Sequence, residues 1–238
     1  MKKNRLFSII DKAIFDFKLI EDGDRILIGA SGGKDSTALI EYFANRIRRP
    51  DANFSFLALH IETEFSGPLP EKIQNLFDEW QVPYENLKIS VEERLKNGKK
   101  MNCYWCSTQR RTELNNYAIA NGFNKIALGH HADDVLETLL MNSLHKAEMA
   151  TMLPSLKYEK YPVTLIRPLY YSFESEIISH AKENGFYGFT CTCNYQDNST
   201  RKNARAKIAG ITDNDPVLKR HLLDSLFNVN ADYLPKRK

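Results

Sequence analysis

The stretch that decides the fold is RILIGASGGKDS, at residues 25–36. Its first half is a short apolar run that stops at Gly29 and Ala30, a pattern typical of a strand buried on both faces. Its second half, Ser31 to Ser36, contains two glycines and leads into a helical pattern. A buried strand, a glycine-rich turn and a helix in this order indicate the start of a βαβ unit on a parallel sheet.

The same alternation continues along the chain, after an opening amphipathic helix whose apolar residues recur at helical spacing from Leu6 to Ile20. It predicts an α/β fold with a doubly wound, mostly parallel five-stranded sheet. Ligands of such sheets bind beyond the carboxyl ends of the strands, so functional residues are expected just after Ala30, His60 and Gly129. The predicted strands are 25–30, 54–60, 84–89, 125–129 and 164–169, and the later helices are 36–47, 70–80, 108–121, 133–144, 173–184 and 217–227.

The turn at residues 31–36 has the chemistry of a phosphate site. Gly32 and Gly33 allow backbone N–H groups to point into one gap, and the helix N-terminus adds partial positive charge. Lys34 adds a full charge, while Ser31 and Ser36 add hydroxyl donors. The turn is not a Walker A loop, because an aspartate follows the lysine where Ser or Thr stands. A plain capped turn is the alternative, but it requires neither the lysine nor the neighbouring carboxylate.

A second polar cluster, GHHADD at residues 129–134, follows the fourth predicted strand. Asp133 and Asp134 fall in the first turn of a helix, where the helix dipole favours negative charge by about 0.3–1 kcal/mol. That effect alone would explain one aspartate. Two aspartates beside His130 at the carboxyl edge of the sheet favour a functional site instead, either for Mg²⁺ or for acid–base chemistry near a nucleotide.

The cysteines form two pairs. Cys103 and Cys106 form a C-x-x-C pair predicted to lie immediately before a helix, an arrangement that favours thiolate and provides a two-sulfur metal clamp. Cys191 and Cys193 follow far downstream, at a separation too long for a compact zinc finger. Four incidental, reduced cysteines are the plainer alternative.

The SGGKDS motif resembles the signature of PP-loop ATPases, which cleave ATP between its α- and β-phosphates and adenylate a substrate oxygen. The resemblance implies that residues 31–36 grip the β,γ-pyrophosphate and that Asp35 contacts Mg²⁺. His60, Gly129 and His130, at the carboxyl edge of the same sheet, are expected to bind the nucleotide as well. The GHHADD motif resembles the same superfamily, but lysidine synthases and tRNA thiolases share it.

The cysteine region separates these groups, because it resembles the tRNA 2-thiocytidine synthetase family. The likeness covers about residues 5–210 and includes the Cys103/Cys106 pair followed by Arg110 and Arg111, KIALGHH at 125–131 and IRPL at 166–169. It implies a [4Fe–4S] cluster on Cys103, Cys106 and Cys193, and adenylation of the C2 oxygen of cytidine 32 in tRNA before sulfur replaces it.

Two positions depart from the family pattern. The late pair is Cys191-x-Cys193 instead of C-x-x-C, and the residues that follow align Cys193 with the third ligand. Cys191 is then a fourth ligand, a persulfide carrier or a packed thiol, and the last is favoured. Glu62 stands where the family has Asp.

Composition bounds the remaining expectations. The chain has 238 residues, 42% hydrophobic and 26% charged, with a formal net charge of +3, which excludes a disordered or disulfide-dense protein. No apolar run reaches the roughly 18 residues of a membrane span, and Asp11 and Lys12 interrupt the opening apolar stretch, so a cytoplasmic protein is expected. The expected segments are an N-terminal helix at 1–22, a PP-loop ATPase domain at 23–190 and a C-terminal extension at 191–238.

Partners follow from the same resemblance. A tRNA substrate requires cationic surface, and four arginines flank the candidate cluster ligands: Arg110, Arg111, Arg201 and Arg205. A sulfur donor, either a cysteine desulfurase or free sulfide, and a homodimer are further expectations. Two alternatives stay open: a PP-loop ligase or amidotransferase with structural zinc on the cysteines, and a nucleotide-dependent RNA-binding module without turnover.

Overall fold

The computed structural model of the protein describes residues 4–95, 101–188 and 199–234. The helices are α1 (Arg5–Phe17), α2 (Lys34–Arg46), α3 (Glu71–Glu79), α4 (Cys103–Ala120), α5 (Ala132–Lys146), α6 (Glu174–Glu183), α7 (Ser199–Thr212) and α8 (Pro216–Asp224). The strands are β1 (Asp24–Gly29), β2 (Phe54–Glu62), β3 (Tyr84–Lys88), β4 (Lys125–Ala127), β5 (Ser155–Lys157) and β6 (Thr164–Ile166).

The strands form one sheet in the order β3-β2-β1-β4-β6-β5. All neighbours are parallel except β5, which runs antiparallel to β6. From β1 the chain proceeds outward through β2 to β3 and then returns to the other side of β1 as β4. The strand order therefore reverses between β1 and β4, which is where ligands bind in sheets of this kind.

The predicted α/β fold with a mostly parallel sheet is confirmed, although the sheet has six strands instead of five. The strand missing from the prediction is β5, a three-residue edge strand. Ser155 and Lys157 are exposed and only Leu156 between them is partly buried. Because the strand is short and has one apolar side chain, it produces no hydrophobic run.

Two helices also differ from the prediction. α4 begins at Cys103 instead of residue 108, so the Cys103/Cys106 pair lies within its first turn and not before the helix. The side chain of Asn102 caps this end by accepting a hydrogen bond of 2.8 Å from the Trp105 amide. α7 was not predicted, since its sequence contains only scattered apolar residues among basic and polar ones.

Both faces of β1 are covered, as the apolar run in the sequence indicates. Ile26 and Ile28 belong to a core cluster that includes residues from α1, α2, α3 and α6, whereas Leu27 belongs to a second cluster with Leu114 of α4. Alternate residues of one strand thus face opposite helical layers. The result is a rigid central strand whose carboxyl end carries the glycine-rich turn.

The chain divides into two compact units. The first contains residues 1–131 and 153–197, including the whole sheet, and the second contains residues 132–152 and 198–238, including α5, α7 and α8. Among the described residues, no helix is both long enough and apolar enough to cross a membrane.

Candidate functional site

The turn after β1 is closed by the hydroxyls of two serines. Ser36 Oγ donates to the Gly33 carbonyl at 3.1 Å and accepts from the Ser31 amide at 3.1 Å. The two hydroxyl oxygens are 2.9 Å apart, and since the Ser36 proton is already used, Ser31 is the donor between them. Gly32 has a φ of +76°, and a Cβ there would lie 3.2 Å from Pro70 Cδ, so this position requires glycine.

The N-terminus of α2 is left available to an anion. Gly33 is the N-cap residue and provides no side-chain cap hydrogen bond. The first amide groups of a helix have no partner within the helix. The positive end of the helix dipole lies at the same place and favours the binding of phosphate. The turn at residues 31–36 therefore has donors suited to an anion, and its role as a pyrophosphate nest stays a prediction.

Gly129 brings the end of β4 against this turn. A Cβ at Gly129 would lie 3.1 Å from both the carbonyl carbon of Asp35 and the amide nitrogen of Ser36. Both contacts are with backbone atoms, which cannot rotate away as a flexible side chain does. Glycine is thus needed here because two segments of the backbone approach closely where the strand order reverses between β1 and β4.

Lys34 is held by two carboxylates. Its Nζ lies 3.2 Å from Asp35 Oδ2 and 3.0 Å from Glu174 Oε1, and only 15% of the side chain is exposed. Burial by itself lowers the pKa of Lys34, but the two carboxylates outweigh burial and hold that pKa above its ordinary value. Lys34 is therefore a fixed positive charge at the N-terminus of α2.

Glu174 is the functional candidate that the sequence analysis missed. It is the first residue of α6, the helix that follows β6. The available signal was its position just beyond the carboxyl end of a strand next to β4, the same edge that carries the other candidates. A glutamate in a first helical turn is so common for dipole reasons that this signal alone did not select it.

Asp35 has one oxygen suited to a cation. Its Oδ1 is buried and accepts no hydrogen bond within the described residues, while His131 Nε2 lies 4.0 Å away. A carboxylate oxygen is a ligand that Mg²⁺ prefers, with further ligands from substrate phosphates and water. The residues present fit a nucleotide-bound Mg²⁺, although no group of three or more metal-ligating side chains occurs in the part of the chain that the structure describes.

His60 and His130 lie near the ends of β2 and β4. His60 is 4% exposed, and its Nδ1 and Nε2 lie 2.7 Å and 3.1 Å from the carbonyl oxygens of Ala30 and Gly67. The ring thus connects the end of β1 to the loop after β2 and forms part of the wall behind the turn. His130 is half-buried and directly follows Gly129.

Of the four cysteines, Cys106 is the one whose side chain the structure describes. It is half-buried and packs against the core cluster that contains Leu114. Cys103 is the first residue of the same helix, three positions earlier. Cys191 and Cys193 lie outside the described residues, so the predicted cluster ligands are placed only in part.

Arg110 follows Cys106 by four residues, about one turn further along α4. It is half-buried, and its Nε has no hydrogen-bond partner among the described residues. Arg111 is exposed. The two adjacent arginines therefore differ in setting, and Arg111 is the one open to solvent.

The carboxylates of α5 are paired with basic residues of the second unit. Asp134 Oδ1 lies 3.0 Å from Arg201 Nη1, and Glu137 Oε1 lies 2.6 Å from Arg205 Nε. Asp133 Oδ1 lies 2.7 Å from Lys219 Nζ of α8. Burial raises the pKa of Glu137 above its ordinary value, although Arg205 opposes this shift.

These ion pairs link two sets of residues that the sequence analysis treated separately. The two carboxylates predicted for metal or proton handling, and the two arginines predicted for RNA, all lie in this one network of α5, α7 and α8. The structure therefore neutralises these charges in pairs.

The strand order and the turn after β1 are those of a PP-loop protein. Residues 5–211 match the model of a protein family described as a PP-loop domain. Curated relatives narrow this class. The tRNA-cytidine(32) 2-sulfurtransferase of Anaeromyxobacter sp. (strain Fw109-5) is 35% identical, and the match covers 99% of this chain and 79% of the relative. The enzyme of the same name from Syntrophotalea carbinolica is 32% identical, with 98% of this chain and 93% of the relative covered. The chain belongs to the tRNA-cytidine(32) 2-sulfurtransferase family and is an enzyme.

A solved structure supports the fold. The U34-tRNA thiolase NcsA from Methanococcus maripaludis, determined with its [4Fe-4S] cluster, superposes with a TM-score of 0.76 at 21% identity, covering 94% of this chain and 77% of that one. An NH3-dependent NAD synthetase from Campylobacter jejuni shares the fold at a TM-score of 0.52 and 17% identity.

Proposed function

We propose that this enzyme uses ATP to replace the C2 oxygen of cytidine 32 in tRNA with sulfur. The names of its relatives supply the substrate. The observation that supports the use of ATP is the N-terminus of α2, which has no side-chain cap and has the Lys34 ammonium beside it.

The first step is adenylation. The backbone amides of residues 31–36 bind the β,γ-pyrophosphate of ATP, and Lys34 balances its charge. Asp35 would hold a Mg²⁺ that offsets phosphate charge, while His60, Gly129 and His130 form the wall beside the nucleotide. The C2 oxygen of the cytidine attacks the α-phosphorus, the bond to the bridging oxygen breaks, and pyrophosphate leaves. Adenylation thus converts the C2 oxygen, a poor leaving group, into AMP, which leaves readily.

The second step is sulfur transfer. A sulfide sulfur attacks C2, the bond from C2 to the adenylated oxygen breaks, and AMP leaves. Asp133 and Asp134 assist metal or proton handling in this scheme, and each lies within ion-pair distance of a basic side chain. A [4Fe–4S] cluster on Cys103, Cys106 and Cys193 would supply the sulfur. The half-buried Cys106 in the first turn of α4 fits such a ligand set, because cysteine sulfur is the usual ligand of these clusters.

The remaining assignments concern partners. Arg110, Arg111, Arg201 and Arg205 bind tRNA phosphates in this proposal. A cysteine desulfurase or free sulfide replenishes the sulfur, the enzyme acts in the cytoplasm, and it works as a homodimer.

The direct test of the ATP step is pyrophosphate release by the purified enzyme with ATP and tRNA. Release is expected only with tRNA present, and Lys34→Met is expected to reduce the rate at least about 100-fold, since it removes a charge that stabilises the leaving pyrophosphate. Lys12→Met removes an exposed lysine of α1 and serves as the control. Pyrophosphate release that is independent of tRNA, or unchanged in Lys34→Met, would contradict the proposal.

A further inference from the structure

The Lys34 ammonium has one partner from its own helix and one from a different helix. Asp35, its neighbour in α2, lies 3.2 Å away, and Glu174, the first residue of α6, lies 3.0 Å away. All three side chains are largely shielded, with 15% of Lys34, 29% of Asp35 and 26% of Glu174 exposed. The ammonium therefore has a defined position between two carboxylates.

A second polar contact joins the same two helices further along. Glu41 Oε2 of α2 lies 2.6 Å from His180 Nε2 of α6, and both residues are buried. Glu41 is seven residues after Lys34, and His180 is six residues after Glu174. At about 3.6 residues per turn, both contacts advance by nearly two turns in the same direction. Two contacts at different heights fix the register of α6 against α2.

The first turn of α6 is also fixed from within. Glu176 Oε2 accepts a hydrogen bond of 2.9 Å from the Phe173 amide, so the third residue of α6 caps the amide of the residue that precedes the helix. The backbone that carries Glu174 is thereby rigid. A carboxylate on a rigid backbone can hold a flexible lysine in one orientation at low entropic cost.

Glu174 is needed because two cations compete for the Asp35 carboxylate, the Lys34 ammonium and Mg²⁺. If Lys34 paired with Asp35 alone, its charge would compete with Mg²⁺ for that carboxylate. Glu174 draws the ammonium toward α6, and Asp35 Oδ1 then accepts no hydrogen bond within the described residues. We propose that Glu174 is a positioning residue for ATP cleavage, which holds the Lys34 ammonium between α2 and α6 so that Asp35 stays available to the metal. The inference rests on the proposed function.

The kinetic test is Glu174→Gln, assayed by tRNA-dependent pyrophosphate release. We expect kcat to fall about tenfold, because the ammonium moves onto Asp35 and the metal loses part of its carboxylate. The KM for ATP is expected not to rise, because a negative charge beside the triphosphate has been removed. Glu174→Asp, which keeps the charge, is expected to recover part of kcat. Glu183→Gln makes the same change at the last residue of α6, an exposed site, and should leave both constants unchanged.

A second measurement tests the ion pair without turnover. Unfolding midpoints in urea are compared for the wild type, Lys34→Met, Glu174→Gln and the double variant. We expect the double variant to shift the midpoint by less than the sum of the two single shifts. Additive shifts would overturn the inference, as would an unchanged kcat in Glu174→Gln, or equal losses of kcat and rises of KM in both Glu174 variants. Non-additive shifts in an enzyme that releases no pyrophosphate would establish the ion pair and overturn the proposed function instead.

Discussion

Arg201 Nη1 lies 3.0 Å from Asp134 Oδ1, so an arginine expected to bind RNA is paired with a carboxylate expected to act in catalysis. Only 13% of the Asp134 side chain is exposed, against 35% of Arg201. A largely buried carboxylate is costly without a cation beside it. The ion pair between these residues therefore stabilises the fold even when no substrate is bound.

The first prediction concerns this pair. Arg201→Gln is expected to lower the free energy of unfolding by about 1–2 kcal/mol, since it removes the cation beside a mostly buried carboxylate. The effect is limited to this size because solvent screens the partly exposed arginine. Urea unfolding provides the measurement. Adding Asp134→Asn is expected to restore part of the loss, and a double variant as unstable as the sum of the two singles would show that the residues are not coupled.

The second prediction concerns Arg111, which is exposed on α4. Arg111→Ala is expected to weaken tRNA binding for all tRNA sequences alike, and to reduce the slope of log affinity against log salt by about one, as loss of one phosphate contact requires. Filter binding over a range of salt concentrations measures both. The matched control is Arg48→Ala, since Arg48 is also exposed and lies just beyond α2. If both variants weaken tRNA binding equally, Arg111 has no special role in binding.

The third prediction concerns Gly129. Gly129→Ala places a Cβ 3.1 Å from backbone atoms of Asp35 and Ser36, so the start of α2 must shift. We expect a loss of about 1–3 kcal/mol in unfolding free energy and at least about tenfold weaker binding of Mg-ATP, because the amides that face the phosphates move.

The control for Gly129 is a second glycine-to-alanine change. Gly210 lies within α7, and a Cβ there meets nothing within 4 Å. Gly210→Ala is expected to stabilise the protein by about 0.5–1 kcal/mol through helix propensity. Two variants of the same chemistry should thus shift stability in opposite directions, and an unperturbed Gly129→Ala would contradict the close packing at the switch between β1 and β4.

The fourth prediction concerns pH and Asp11, which joins α1 to the end of α2. Its Oδ1 lies 2.7 Å from Arg49 Nη1 and also accepts from Tyr42. Burial alone would raise the pKa of Asp11, but the hydrogen bonds from Arg49 and Tyr42 and the charge of Arg46 outweigh it and lower that pKa below its ordinary value.

A carboxyl group whose pKa is lower in the folded state stabilises the fold above its unfolded pKa and loses that contribution as pH falls through the folded value. Asp11→Asn is therefore expected to lower the unfolding free energy by about 1 kcal/mol at neutral pH, a figure reduced because a third of the side chain is exposed. The difference should shrink in acid. A difference that grows as pH falls would contradict the assignment.

The fifth prediction concerns the cysteines. Anaerobically purified enzyme is expected to be brown, and Cys106→Ala is expected to lose the colour and the bound iron, because it removes a thiolate ligand. Cys191→Ala should retain both, since the sequence places this cysteine out of register. Colourless, zinc-loaded wild-type enzyme that is active without iron would contradict the cluster.

The sequence was sufficient for those features that depend on local pattern. The run before Gly29 predicted a buried central strand, and the glycines after it predicted a tight turn into a helix, because each of these needs a particular residue type at a particular position. The short strand β5 and the helix α7 were missed because neither carries a strong apolar period.

Contacts between distant residues could not be predicted in the same way. Arg201 and Asp134 are 67 residues apart, and nothing in either local sequence indicates the pairing. Glu174 reaches Lys34 because β6 and α6 bring it to the carboxyl edge of the sheet, which is a consequence of strand order and not of any motif.

The measurement that tests the central claim most directly is mass spectrometry of tRNA nucleosides from cells that lack this protein and from the same cells supplied with it. The account predicts 2-thiocytidine at position 32 when the wild-type chain is present, and its absence with no chain, with Lys34→Met or with Cys106→Ala. The modification appearing in cells without the protein, or restored equally by Lys34→Met, would contradict the account.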